Sequence, residues 1–283
     1  MFTGIIHTGN SVGDYFRGNG TSGGRSISQK GSIMKSNGWL EQILVAMPYG
    51  VTDRLLFGSH RAAKPLQILV QRMIGGPRPA SFLLDKHIFH CQTSHKYFFE
   101  RQNYERDAWQ ILKERIRPDD VVYDVGAHFG FWAVRLSRIC RHIVAFEPSP
   151  TNLVTLIQNV GTITNVTIIN SAAGAAEAVM SFSEGGTMSR VGVGDLKANI
   201  TTLDLTAERH PEPTFILIDV EGFGTEVLRG GQIALSRGVP AMCEIHDANE
   251  REGVFKLLEN AGYTIQLLDA DRDFPFRIFA TMS

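Results

Sequence analysis

The chain has 283 residues, 43% of them hydrophobic and 20% charged, with a formal net charge of −1. That is enough apolar material for a full α/β core, and no apolar run approaches the roughly 20 residues that span a bilayer. Cys91, Cys140 and Cys243 are far apart and in no CxxC pattern, which excludes a disulfide frame or zinc site and points to a reducing compartment, the cytoplasm.

Charge is unevenly spread: residues 1–141 carry 19 Lys and Arg against 11 Asp and Glu. A basic first half either attracts an anionic substrate or surface or is a set of solvated helix faces. No RNP, zinc-finger or Lys/Arg-rich run supports a nucleic-acid partner. Met1-Phe2-Thr3-Gly4 lacks the basic-then-apolar layout of a secretory signal.

In chain order, residues 1–37 are rich in Gly, Ser, Asn and Thr without apolar period and read as a disordered leader. Residues 38–103 form an appendage: a short helix at 38–47, a weaker amphipathic stretch at 53–74, and the break Gly75-Gly76-Pro77. Strands follow at 81–91 around a turn at Asp85-Lys86. The main domain covers 104–283 and opens with a helix at 104–116. Strands are expected at 121–125, 142–146, 166–169, 215–219 and 240–245, with helices at 129–139, 150–160, 225–235 and 249–260. The pattern closes with strands at 264–268 and 276–280 and no helix between them. Such alternation predicts a doubly wound, mostly parallel seven-stranded α/β sheet, Rossmann-like, with an antiparallel strand pair at one edge. Residues 172–204 break the rhythm: short β-prone pieces replace the expected helix, as a substrate wall or a decorated connection.

The stretch Val121-Val122-Tyr123-Asp124-Val125-Gly126-Ala127-His128-Phe129-Gly130 reads as a buried strand, a glycine turn and a helix start. Gly126 and Gly130 permit a tight turn and close ligand approach, and the helix N-terminus favours a polar ligand. A dinucleotide turn reads GxGxxG, whereas here an acid precedes the glycines. That order suits a ligand with a cationic amino acid portion better than a pyrophosphate. Glu147, ending the second strand in Phe146-Glu147-Pro148, is placed to accept ribose hydroxyls. S-adenosylmethionine has both the diol and the cation.

These residues, with Thr202-Leu203-Asp204 and Leu217-Ile218-Asp219-Val220-Glu221-Gly222, resemble the FkbM family of S-adenosylmethionine-dependent class I methyltransferases. The resemblance implies a cofactor site around Asp124, Gly126, Ala127, His128, Gly130, Glu147, Pro148 and Ala172, with the Asp219-to-Gly222 end facing the acceptor. Four departures stand out. Leu217 replaces a usual Lys, His128 a usual Asn and Gly224 a common Glu, and no adenine-binding side chain follows the third strand.

On the acceptor side, period two puts Asp219 and Glu221 on one side of their strand and Glu244 and His246 on one side of theirs. A hydroxyl acceptor needs its proton removed during methyl transfer, by Asp219 or by His246, whose ordinary pKa suits the task better. Alternatively Asp219, Glu221, Glu244 and His246 hold Mg or Mn, which acidifies the hydroxyl. More plainly, Glu221 caps the following helix and His246 is a hydrogen-bonded strand-end residue. Tyr104-Glu105 resemble a pair upstream in the family that reaches the cofactor or lies on a helix surface. The expected activity is O-methylation of a small molecule, sugar or polyketide hydroxyl, with an anionic acceptor suited to the basic half. A non-catalytic binding module and an NAD-type oxidoreductase are the competing readings.

Overall fold

The computed structural model describes residues 79–92, 95–96, 99, 105–183, 190–268 and 274–282. The expectations for 1–37, 38–47, 53–74 and Tyr104 lie outside these residues. The chain divides into two compact units, one running to Trp109 and the other beginning at Gln110. In the first, β1 (Pro79–Leu84) and β2 (His87–Gln92) form an antiparallel hairpin. Its two-residue turn is Asp85-Lys86, both left-handed at φ 47° and 70°, the backbone twist such a hairpin requires. Phe82, Phe89 and Phe99 contact one another edge-on or stacked, with ring centres 5.4–6.1 Å apart. Helix α1 (Arg106–Arg115) buries Ala108 and Leu112, four residues apart on one face.

The second unit is built on β3 (Val121–Val125), β4 (His142–Phe146), β5 (Val166–Ile169), β10 (Phe215–Ile218), β11 (Ala241–Ile245), β12 (Tyr263–Leu267) and β13 (Phe276–Met282). Their order across the sheet is β12-β13-β11-β10-β3-β4-β5. Every residue of β3 and β10 is buried, as strands covered on both faces must be. From β5 to β11 all pairings are parallel. The closing pair is the expected antiparallel hairpin at one edge, but the reversed strand, β13, lies one place in, between β11 and β12. Strand order turns back between β3 and β10, so a cleft opens beyond their carboxyl ends.

Helix α2 (Phe131–Leu136) is shorter than the expected 129–139, because Gly130 enters it in the left-handed region at φ 87°. Helix α3 (Pro150–Val160) has the expected bounds, started by Ser149, whose hydroxyl accepts the Asn152 N–H, and by Pro150 in the first turn. The irregular segment is a sheet of its own, ordered β6-β9-β7-β8: β6 (Ala172–Ala173), β7 (Ala178–Ser183), β8 (Arg190–Val191) and β9 (Leu196–Thr201). β9 went unforeseen, although buried Ala198 and Ile200 alternate with exposed neighbours.

Helix α4 (Leu203–Ala207) follows, capped by Thr202. The helix expected at 225–235 is two, α5 (Gly224–Arg229) and α6 (Gln232–Ser236). The cause is tertiary: a Cβ on Gly230 would lie 2.0 Å from the Gly174 carbonyl oxygen, and the Gly230 carbonyl accepts the Asp204 N–H. α7 (Ala248–Asn260) completes the layer that buries Val227, Leu228, Val254 and Leu258 against the sheet. Among the described residues no helix is long and apolar enough to cross a membrane, and all three cysteines are buried.

Candidate active site

The turn after β3 is shaped by backbone contacts. Gly126 stands at φ 93°, and a Cβ there would meet the Asp219 carbonyl oxygen at 1.9 Å, so the ends of β3 and β10 all but touch. The Gly126 and Ala127 N–H groups both donate to the Phe146 carbonyl, at 3.1 and 2.9 Å, which ties the turn to the end of β4. His128 is left-handed at φ 51°, a region in which Asn and His are both enriched, so the turn accepts His where the family pattern has Asn. Its N–H donates to Glu147 Oε2 at 2.8 Å and its ring stacks on Phe129.

Glu147 is 4% exposed. Its Oε1 accepts from the Ser149 N–H at 2.8 Å and from Asn152 Nδ2 at 3.3 Å. Burial still pushes its carboxyl up to about 7 against those three donors. A carboxylate oxygen has room for two donors, and Oε2 takes one from the protein, so capacity remains for a ligand hydroxyl. Asp124 is 2% exposed, and its Oδ2 has no hydrogen-bond partner among the described residues. Burial, then the charge of Asp219, push its carboxyl up to about 7. Leu217, where the family pattern has Lys, is buried and pairs in register with Asp124. Of the other expected cofactor residues, Pro148 follows Glu147 at the cleft, while Ala172 is buried in β6 and pairs with Ile200 of β9.

Across Gly126 lies the second group. Asp219 continues the β10 ladder, its N–H on the Val125 carbonyl at 3.0 Å, and Glu221 and Gly222 then turn left-handed at φ 44° and 90°. His246 Nε2 is 3.4 Å from Asp219 Oδ1 and 3.8 Å from Glu221 Oε1, while its Nδ1 is 3.4 Å from Glu250 Oε2. Asp219, Glu244 and His246 each offer a ligand atom within 4.8 Å of the others. Glu221 stands outside that trio, so the candidate metal set is narrower than the sequence suggested. Nor does Glu221 take the first N–H of α5, which donates from Gly224 to Glu250 Oε1 at 2.8 Å.

The charge states correct one expectation. Burial works to neutralise the His246 imidazole, but the carboxylates of Asp219 and Glu250, each 3.4 Å from a ring nitrogen, and the charge of Glu221 prevail and raise it to about 11. It is an imidazolium at neutral pH, not the matched base that its free pKa suggested. Desolvation opposes the ionisation of Asp219, whose side chain is still 42% exposed, but the His246 imidazolium 3.4 Å away outweighs it and leaves the carboxyl lowered. Glu221 is pushed up to about 7 by burial first and by the charges of Asp219 and Glu250, the range a general base at neutral pH needs.

Three residues with evident roles escaped the sequence reading. Ser149 and Asn152 hold Glu147, and the Ser-Pro start of α3 was their signal. Glu250, 3% exposed, is the third; Asp247-Ala248-Asn249-Glu250 has the spacing of a helix capping box and could have drawn attention to it.

Strand order, helices on both faces and a carboxylate-lined cleft at the switch point define a class I methyltransferase. The methyltransferase FkbM domain matches residues 124–274, just over half the chain, and the chain belongs to that family of S-adenosylmethionine-dependent enzymes. It is 29% identical over 182 residues to the hexuronic acid methyltransferase AglP of Haloferax volcanii, covering 62% of this chain and 76% of that protein. Among solved structures it resembles the methyltransferase FkbM from Methylobacillus flagellatus, at 15% identity and a TM-score of 0.48, over 87% of this chain and 58% of that one. A precorrin-6y C5,15-methyltransferase from Geobacter metallireducens matches at 16% identity and a TM-score of 0.43, over 64% of this chain and 90% of that one.

Proposed function

We propose that the chain, through a catalytic domain taken as residues 104–283, methylates a hydroxyl group of a sugar acid. The observation that carries this reading is the meeting of two unlike acidic groups at Gly126, Asp124 with Glu147 on one side and Asp219, Glu221, Glu244 and His246 on the other. S-adenosylmethionine, when bound, supplies an electrophilic methyl group on a sulfonium. Glu147 accepts the ribose hydroxyls, and the unpartnered Asp124 Oδ2 takes the cofactor's ammonium. Gly126, Ala127, His128 and Gly130 shape the turn, with Pro148 and Ala172 along the wall. Asp219, fixed by His246, orients the acceptor hydroxyl, and positioning of this kind carries much of an in-line displacement. Glu221 receives the proton as the oxygen–methyl bond forms and the sulfur–methyl bond breaks. The hexuronic acid relative supports a sugar acid as acceptor. Arg190 on β8, whose charge acts on Glu221, is one cation available to an acceptor carboxylate.

The clustering of Asp219, Glu244 and His246 favours a second reading, a divalent Mg or Mn that acidifies the hydroxyl, with His246 neutral. The two readings exclude each other, because an imidazolium cannot ligate a metal. Glucuronic and galacturonic acids, with glucose as neutral control, incubated with a labelled methyl donor with and without EDTA, test both. Label on the uronic acids and not on glucose is expected; label on glucose alone would sink the sugar-acid reading. Loss of activity in EDTA, restored by Mg or Mn, would select the metal. Calorimetry with S-adenosylhomocysteine and NAD checks the cofactor independently of any acceptor.

A further inference from the structure

We propose that Glu250 is the positioning residue of the acceptor site, one buried carboxylate that ties the loop after β10 to the loop after β11 and fixes the direction of the His246 ring. The catalytic part of this inference rests on the acceptor reading above; the positioning part does not.

In a helix that begins Asp247-Ala248-Asn249-Glu250, the Asp at the N-cap and the Glu three residues on are expected to satisfy each other's backbone N–H groups. Asp247 behaves so, accepting from the Asn249 and Glu250 N–H groups at 2.9 Å each. Glu250 does not reach back to the Asp247 N–H. Its Oε2 goes one residue further and accepts the His246 N–H at 2.7 Å, and the same oxygen lies 3.4 Å from His246 Nδ1. Its Oε1 crosses to the Gly224 N–H at 2.8 Å, the first N–H of α5. A cap needs only Asp247; the work of Glu250 lies outside its own helix.

The consequence for the site is geometric. With the His246 backbone N–H held by Glu250, and with Nδ1 buried 3.4 Å from the same carboxylate but hydrogen-bonded to nothing among the described residues, Nε2 is left to face Asp219 and Glu221. The Glu250 side chain is fully buried, so it depends on these two N–H donors and on the His246 ring beside it, which makes their arrangement costly to disturb. Gly224 is shaped to it. Glycine is a poor choice for a helix, but a Cβ at this position would lie 2.7 Å from Glu250 Oε1. The close approach of α7 is served by Gly253, whose Cβ would meet Thr225 Oγ1 at 2.3 Å.

Gly224→Ala therefore displaces the carboxylate without removing its charge, and the atom displaced is the far end of a flexible side chain, so the fold should survive. Glu250→Gln removes the charge and leaves one of the two N–H groups facing an amide donor. Both variants and their combination are compared with the full chain by amide hydrogen exchange, calorimetry with S-adenosylhomocysteine and methylation of glucuronic acid. Expected are exchange at His246 faster by about tenfold or more and cofactor affinity within about threefold of the parent. The acceptor kcat should fall by about 10- to 100-fold with little change in KM, as misplacement of a catalytic constellation predicts. The double variant should be no worse than the worse single one, because both act on one contact. Additive losses, or exchange and kcat unchanged in Gly224→Ala, would overturn the assignment. If Glu250→Gln does not fold, Gly224→Ala decides alone. If the parent chain methylates no uronic acid, the acceptor reading falls, and exchange at His246 still decides whether Glu250 positions it.

Discussion

The two sides of the cleft hold their acids in opposite ways. Asp124 and Glu147 are 2% and 4% exposed, and the donors that reach Glu147, at His128, Ser149 and Asn152, lie within a short stretch of chain. Among the described residues no cation answers them, and burial raises both carboxyls to about 7. Asp219, Glu221 and Glu250 instead surround a cation of their own, His246, and the contacts join segments after two different strands. The first side awaits a ligand that brings donors and positive charge. The second is already balanced, so whatever enters it, hydroxyl or metal ion, must exchange for contacts in place.

The sharpest way to break the comparison is at the point where the sides meet. In Gly126→Ala the new methyl would fall 1.9 Å from the Asp219 carbonyl oxygen, in a backbone region at φ 93° that side chains avoid. Backbone strain alone costs about 1–3 kcal/mol, and forcing β3 from β10 adds to it. A loss of about 3 kcal/mol or more in urea unfolding is expected, with S-adenosylhomocysteine binding lost in calorimetry. Near-parental affinity would show that the two sides are not joined through this glycine.

A smaller effect sharpens the charge contrast. The folded-state carboxyl of Asp124 is raised from 3.8 to about 7 by burial and then by Asp219, so the folded chain binds this proton more tightly than the unfolded chain does. Stability from this group is therefore present in acid and is lost as pH rises from about 4 to about 7. Asp124→Asn removes that loss: the ligand-free variant should gain about 2 kcal/mol at neutral pH and little near pH 4. It should also bind S-adenosylhomocysteine about tenfold or more weakly, since the ammonium loses a charged partner. Urea titrations at both ends of the window check the sign. A variant less stable than the parent at neutral pH would mean that Asp124 has a partner in the free protein.

What was legible in the sequence divides along the same line. The turn at Gly126, the carboxylate at Glu147 and the bounds of α3 depend on local signals: a buried β-branched run, glycines at required turns, and Ser-Pro at a helix start. The acceptor side depends on tertiary placement. Strand period correctly grouped Glu244 with His246, but the charge of His246 depends on Glu250, on the next helix, and on Asp219, on the neighbouring strand. The helix was expected unbroken over 225–235, through Gly230-Gly231; the approach of Gly174, a tertiary contact, breaks it there. The place of β13 inside β12 also had no local signal, since a closing pair without a helix reads the same either way.

Thr202-Leu203-Asp204 contributed to the family resemblance without touching either side of the cleft, and this gives the smallest predicted effect. Thr202 caps α4 by accepting the Leu205 N–H at 3.0 Å. The Asp204 carboxylate accepts the Ile233 and Ala234 N–H groups, at 3.1 and 3.4 Å, at the start of α6. Its own N–H donates to Gly230, so it braces the break between α5 and α6 from both ends. Asp204→Ala should cost about 1 kcal/mol in urea unfolding, the ordinary worth of a helix cap. Cofactor affinity and acceptor kinetics should stay at parental values. If calorimetry found S-adenosylhomocysteine binding weakened as well, the α5–α6 break would have to be coupled to the cleft, through Gly174 and the end of β6, and the two sides would no longer be independent of the frame that carries them.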